Sequence, residues 1–187
     1  KIPEGEVLIA AKHQSFFDAI LIVSAVPKPK FIMKNSLKYA PVLGWFGLRI
    51  GCICVERGKR TQAIKSMVAA VNSGNSPAGQ LIIYPQGTRI APGASAPYKI
   101  GTAVLYQETG QTCIPAATNV GVFWPKYGIL RQPGLAVVEF LPAIQPGFDN
   151  EEFMHRLEEV IEQSSNALLE EAAADRFYPL ARDTRDT

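Results

Sequence analysis

Apolar positions along the chain follow two periods. Short runs at Val7–Ala11, Phe31–Met33, Cys52–Val55, Leu81–Tyr84, Cys113–Ala117 and Leu135–Leu141 read as strands. Between them, apolar residues recur at helical spacing. Ser15–Ala25 opens with a capping-box pattern, Ser15 to Asp18. Pro41–Leu48 has Pro near its start, Thr61–Val71 is amphipathic and stops at Ser73-Gly74, and Thr102–Glu108 closes at Gly110. Phe153, Leu157, Val160, Ile161 and Leu168 mark a last long helix over residues 150–173. Short strands alternating with helices predict an α/β fold. Residues 85–100 form a long loop, a length that is often functional inside a compact domain. Nothing marks an internal boundary. One domain over residues 1–178 and a polar tail over 179–187 are expected.

Composition narrows the class. With 187 residues, 47% of them apolar, the chain can bury a core without staples, and disorder, collagen and coiled coil are excluded. Fourteen Pro and 15 Gly demand many turns and argue against a simple helical bundle. Cys52, Cys54 and Cys113 are too few for a disulfide scaffold and read as buried thiols in a reducing compartment. The net charge of +2 conceals a gradient: residues 1–100 hold 13 Lys or Arg against 4 Asp or Glu, and residues 101–187 hold 6 against 13. A basic first half suits phosphate or an anionic membrane surface. No basic run with interleaved aromatics suggests nucleic acid. The best apolar run, Ala19–Val26, is too short to span a bilayer. The chain starts at Lys1 rather than Met, so a membrane anchor is expected to precede it.

Of two histidines, His155 lies among charges in the last helix and reads as solvated. His13 lies between a strand end and a helix start, where α/β folds place functional groups. Asp18 follows in the first turn, where the helix dipole favours its anion. The turn can bring the carboxylate to one imidazole nitrogen and leave the other to take a proton, which is the base-plus-orienter half of a triad. Gly51–Arg57 and Tyr84–Arg89 each place an Arg after a strand, and the second adds a Gly turn with exposed N–H groups. Such pairs suit phosphate or carboxylate recognition. No His/Cys/Asp cluster has metal-ligand spacing, so no metal is expected. Gly93-Ala-Ser-Ala-Pro97 fails the nucleophile-elbow pattern, which weakens a hydrolase reading.

Together these segments resemble the glycerolipid acyltransferases. His13-Gln-Ser-Phe-Phe-Asp18 matches their H-x4-D motif, Gly51–Arg57 is similar to G-x-I-x-[IV]-[DE]-R, Tyr84–Arg89 to F-P-E-G-T-R, and Ile114-Pro115-Ala116 to a V-P-V-type segment, all in family order. The resemblance spans roughly residues 6–145 and implies a mixed, mostly parallel sheet flanked by helices. It implies transfer of a fatty acyl group from acyl-CoA or acyl carrier protein to the hydroxyl of a lysophospholipid, 1-acylglycerol-3-phosphate above all, with no other cofactor and no acyl-enzyme. It further implies that His13 is the general base and Asp18 its orienter. Arg57, Gly87, Thr88 and Arg89 would bind the acceptor phosphate, and Pro115 would help line the acyl or donor side. Gln86 replaces the family's Glu, so only a hydrogen-bonding or bracing role fits that position.

Amphiphilic substrates imply a bilayer, and a bacterial enzyme of this type is expected on the cytoplasmic face of the inner membrane. Lys28, Lys30, Lys34 and Lys38 interleave with Phe31, Ile32, Met33, Leu37 and Tyr39, followed by the Trp-bearing segment Pro41–Leu48. That composition suits an anionic leaflet. Two alternatives stay open: the same chemistry on another lyso-lipid, such as lyso-ornithine lipid or lysophosphatidylglycerol, and a non-catalytic lipid-binding domain on the same scaffold.

Overall fold

The computed structural model describes residues 1–55, 65, 68–69, 79–127 and 129–177. Six strands form one sheet: β1 (Val7–Ala11), β2 (Pro29–Lys34), β3 (Ile53–Val55), β4 (Gln80–Ile83), β5 (Cys113–Thr118) and β6 (Val138–Phe140). Their order is β3-β2-β4-β1-β5-β6, parallel except for β6, which runs antiparallel to β5. This is the mixed, mostly parallel sheet that the resemblance implied.

Helices cover both faces, and the period of β1 shows how. Ile9 and Ala11 point to one face, where they pack with Ile22 and Val26 of α1 (Phe16–Ala25) and its C-cap. Leu8 and Ala10 point to the other, against α3 (Gly101–Thr109) and α5 (Asn150–Phe177). Helix α5 presents Phe153, Leu157, Ile161, Leu168 and Ala172 to the sheet at spacings of four or seven residues, one apolar stripe. Phe153 stacks on Tyr106 of α3 at 3.9 Å. Gly110 ends α3 in the left-handed region, φ 59°, with its N–H donating to the Tyr106 carbonyl.

Several expectations shift. The helix expected from Pro41 begins at Leu43 (α2, Leu43–Arg49), because Val42 adopts φ 64° and interrupts the chain after the proline. A 3-10 turn, Asn35–Tyr39, precedes it. Gly44 packs so close to the Lys38 carbonyl that any side chain would collide with it. Strand β6 is shorter than Leu135–Leu141. Val137 is bonded to the side chains of Thr118 and Asn119 instead of a ladder partner, and Pro142 cannot donate beyond Leu141. A short helix α4 (Val120–Phe123) follows β5. The helix expected at Thr61–Val71 lies outside the described residues except Lys65, Val68 and Ala69, which are helical. Cys113 is buried as expected, whereas Cys52 and Cys54 are half-buried at the β3 edge. The Cys52 thiol accepts the Phe31 N–H at 3.3 Å.

A charged group in the sheet fixes α5. Lys12, 2% exposed, extends β1 and points to the α5 face. Its Nζ sits 2.6 and 2.7 Å from the two Glu162 oxygens, and Tyr98 donates to the same carboxylate at 2.9 Å. Burial and Glu162 push the Tyr98 phenol far above its ordinary value, so it stays a donor. Glu162→Ala leaves a buried ammonium without its partner. The expected loss is about 3–5 kcal/mol by chemical denaturation; a loss below about 1 kcal/mol would mean that Lys12 finds water or another acceptor.

Candidate active site

The C-terminal ends of β1 and β4 lie side by side, with Ala10 opposite Ile83. His13 continues the alternation of Ile9 and Ala11 and emerges on the α1 face. Ser15 caps α1, its Oγ accepting the Phe17 N–H at 3.1 Å. Asp18, at the third helical position, closes the capping box: its Oδ2 accepts the Gln14 and Ser15 N–H groups at 2.8 and 2.7 Å. The other oxygen, Oδ1, is 2.8 Å from His13 Nδ1. The carboxylate is 0% exposed, so three hydrogen bonds replace its water. An ionised Asp only accepts, so the imidazole proton belongs on Nδ1 and Nε2 is the open lone pair.

The third sequence segment folds over this pair. Tyr84 stacks on the His13 ring, centroids 4.0 Å apart and 18° from parallel. Its hydroxyl is buried and, among the described residues, finds no hydrogen-bond partner. Burial and the neighbouring Asp18 carboxylate raise its pKa well above the ordinary value, which keeps it neutral. After Pro85 the chain turns, and Gly87 donates to the Tyr84 carbonyl at 2.8 Å. Gly87 is favoured by its positive φ of 68°, and its open side lies against the Lys99 ammonium. The loop returns to the site where Ile90 donates to the His13 carbonyl at 2.7 Å.

His13, Gln86, Gly87, Thr88 and Arg89 thus follow the ends of adjacent strands, and Asp18 meets them from the first turn of α1. Gln86 is buried and braces the loop through Nε2 to the Ala96 carbonyl at 3.4 Å, while its Oε1 has no partner among the described residues. Thr88 is exposed and Arg89 half-buried. Arg57 lies outside the described residues. Pro115 is placed differently from the rest. It is buried inside β5 opposite Ala10, and its carbonyl accepts the N–H of Leu141, just past β6, at 2.9 Å. His155 is on the exposed face of α5, 4.0 Å from Glu159.

Three contributors were not legible in the sequence. Lys99 stands beside the Gly87 turn because its own N–H donates to the Pro85 carbonyl. Gln14 is buried and accepts the Gly121 N–H at 3.0 Å, tying the His13 loop to α4. Trp124 stacks on Phe17 in the first turn of α1 at 4.8 Å. Each is a long-range contact with no local signature. Among the described residues no group of His, Cys, Asp and Glu is arranged to hold a metal, and no helix is long and apolar enough to cross a membrane. In the basic stripe expected to meet lipid, Lys28 is exposed but Lys30 is buried, its side chain lying over Gly79. Buried, Lys30 is not available to a membrane surface, and the same desolvation lowers its pKa.

Comparison with known proteins places this arrangement. A protein called 1-acyl-sn-glycerol-3-phosphate acyltransferase from Pseudomonas aeruginosa is 29% identical over 143 residues, 76% of this chain and 56% of that protein. Its namesake from Saccharomyces cerevisiae is also 29% identical, over 73% of this chain and 46% of its own. An uncharacterized acyltransferase of Schizosaccharomyces pombe is 28% identical over 91% of this chain and 65% of its own. The chain therefore spans about half the length of the first two relatives. The crystal structure of the 1-acyl-sn-glycerophosphate acyltransferase PlsC from Thermotoga maritima superposes with a TM-score of 0.74 over 89% of this chain and 68% of its own; at 23% identity it supports the fold. The family model described as Acyltransferase matches residues 1–119, which hold β1 to β5 and the whole His13 cluster. The chain belongs to the Acyltransferase family.

Proposed function

We propose that the chain moves a fatty acyl group from an acyl thioester, acyl-CoA or acyl carrier protein, to the free hydroxyl of 1-acylglycerol-3-phosphate, giving phosphatidic acid. One observation carries the reading: a buried carboxylate, pinned by two backbone N–H groups, holds His13 Nδ1 at 2.8 Å. That leaves Nε2 as a fixed base at the sheet edge. The relatives named for this reaction support the choice of acceptor.

The chemistry is a direct displacement. The acceptor hydroxyl gives its proton to His13 Nε2 as its oxygen bonds to the thioester carbonyl carbon. The oxyanion that forms then collapses, the carbon–sulfur bond breaks, and the imidazolium returns the proton to the leaving thiolate. Asp18 orients the ring and stabilises its cation without taking the proton. The Tyr84 stack keeps the ring from rotating out of line. Because the thioester is already activated, the enzyme's main tasks are this base and the alignment of two substrates. Gly87, Thr88, Arg89, Arg57 and the adjacent Lys99 would hold the acceptor phosphate, with the Gly87 turn setting its distance from His13. Pro115 would act through the sheet, by shaping the β5–β6 edge. The site would work at the cytoplasmic face of a bacterial inner membrane. There the exposed side chains of Tyr39, Val42, Trp45, Phe46 and Leu48, with Lys38 and Arg49, suit a leaflet surface.

His13→Ala should lower kcat for acyl transfer by about 10²–10⁴-fold, with some loss of stability because one Asp18 oxygen loses its partner. Retention of more than about a tenth of the wild-type kcat would remove His13 as the base. Arg89→Ala should raise KM for lysophosphatidic acid by about 10- to 150-fold, the equivalent of one charge-assisted hydrogen bond. The check is the same variant with a monoacylglycerol acceptor. An equal loss on both acceptors would show that Arg89 does not read the phosphate.

A further inference from the structure

Strands β2, β4, β1 and β5 are parallel, so all four end at one edge of the sheet, the edge that carries His13. Two segments leaving that edge are apolar and exposed. One is residues 35–49 after β2, where Trp45 is 62% exposed. The other is residues 124–127 and 129–135, between α4 and β6.

The second segment has a fixed base and an open tip. At the base, Gln132 donates to the Phe123 carbonyl at 2.9 Å, and the Arg131 guanidinium lies 4.2 Å over the Trp124 ring. Trp124 in turn stacks on Phe17, the residue before Asp18. At the tip, Ile129 is 92% and Leu130 81% exposed, with Tyr127 and Leu135 also open. Lys126 ties this tip to the substrate loop, donating to the Arg89 carbonyl at 3.1 Å, and its ammonium lies 5.1 Å from the Tyr127 ring centre.

We propose that residues 124–135 form a second membrane-docking element, which together with residues 35–49 seats the His13 edge on an anionic bilayer. This rests on the reading of the acceptor as a lyso-lipid. Exposed aliphatic tips beside a Lys–Tyr pair and an Arg–Trp pair have the chemistry of the headgroup boundary, where rings and cations sit above inserted apolar groups. The strand order supplies the geometry. β1 and β4, which carry His13 and Tyr84, lie between β2 and β5, which lead into the two segments. A surface touching both would present lipid headgroups to the base between them. A bilayer fits better than a second copy of the chain. Both contacts carry cations, Lys38 and Arg49 on one and Lys126 and Arg131 on the other. They attract anionic headgroups and repel an identical basic surface.

The test is co-sedimentation of the full chain with vesicles of phosphatidylglycerol and phosphatidylcholine, or of phosphatidylcholine alone, with Ile129→Asp/Leu130→Asp as the variant. Both positions are open to solvent, so the fold should be unaffected, and circular dichroism checks this. The variant should lose roughly tenfold or more in partitioning to the anionic vesicles, because two inserting side chains become charged. Its turnover of a short-chain acceptor held below its aggregation concentration should be unchanged, while turnover of vesicle-borne acceptor falls. Unchanged sedimentation of the variant would overturn the proposal. So would a dimer in analytical ultracentrifugation that the variant dissolves without altering vesicle binding. Sedimentation is read without turnover, so an inactive wild type would count against the proposed reaction and still leave the docking element decided.

Discussion

The site depends on one carboxylate with two duties. Asp18 starts α1 by accepting the N–H groups of Gln14 and Ser15, and it holds His13 with its remaining oxygen. The first duty fixes the second: a carboxylate bonded to two backbone donors cannot swing, so the imidazole that meets it is fixed too. The five-residue spacing of His13 and Asp18 follows from this geometry. His13 follows β1 on the α1 face, Gln14 and the extended N-cap Ser15 lead into the helix, and Asp18 is the helical position that can reach back to the cap.

Neighbouring residues on the strand serve opposite faces. His13 points toward α1, while Lys12 points toward α5 and its buried pair with Glu162. Tyr98, at the far end of the loop of residues 85–100, bonds to the same Glu162 carboxylate. The loop that carries Gln86 to Arg89 is therefore tied at both ends. Its start is held by the Tyr84–His13 stack and its end by Glu162. The ion pair's net stabilisation is modest after desolvation, but its geometry ties Lys12, next to His13, to the loop of residues 85–100.

Local chemistry was legible in the sequence; long-range placement was less so. The capping box, β1, the last helix and the α/β alternation follow from periods and caps that act within a few residues, and the structure has them where those signals lie. The start of α2 was misplaced because a non-glycine residue, Val42, takes a left-handed conformation that no propensity predicts. β6 was overextended because the side chains of Thr118 and Asn119, some 20 residues upstream, take the bonds of Val137. Lys30 reads as a surface cation from its neighbours in sequence, yet it is buried over Gly79, about 50 residues away in sequence. In the site, the His13–Asp18 pair was readable from spacing, whereas Lys99, Gln14 and Trp124 arrive through tertiary contacts alone.

The central claim is that Asp18 sets the tautomer of His13, and ¹⁵N NMR of the imidazole tests it directly. Only His13 and His155 contribute, and a His155→Gln variant assigns the remaining signal. With the ring neutral, His13 should show a protonated Nδ1 and an unprotonated Nε2, and Asp18→Ala should shift it toward the Nε2–H form common in water. A wild-type His13 already in the Nε2–H form would contradict the account, because the nitrogen meant to take the acceptor's proton would then be occupied.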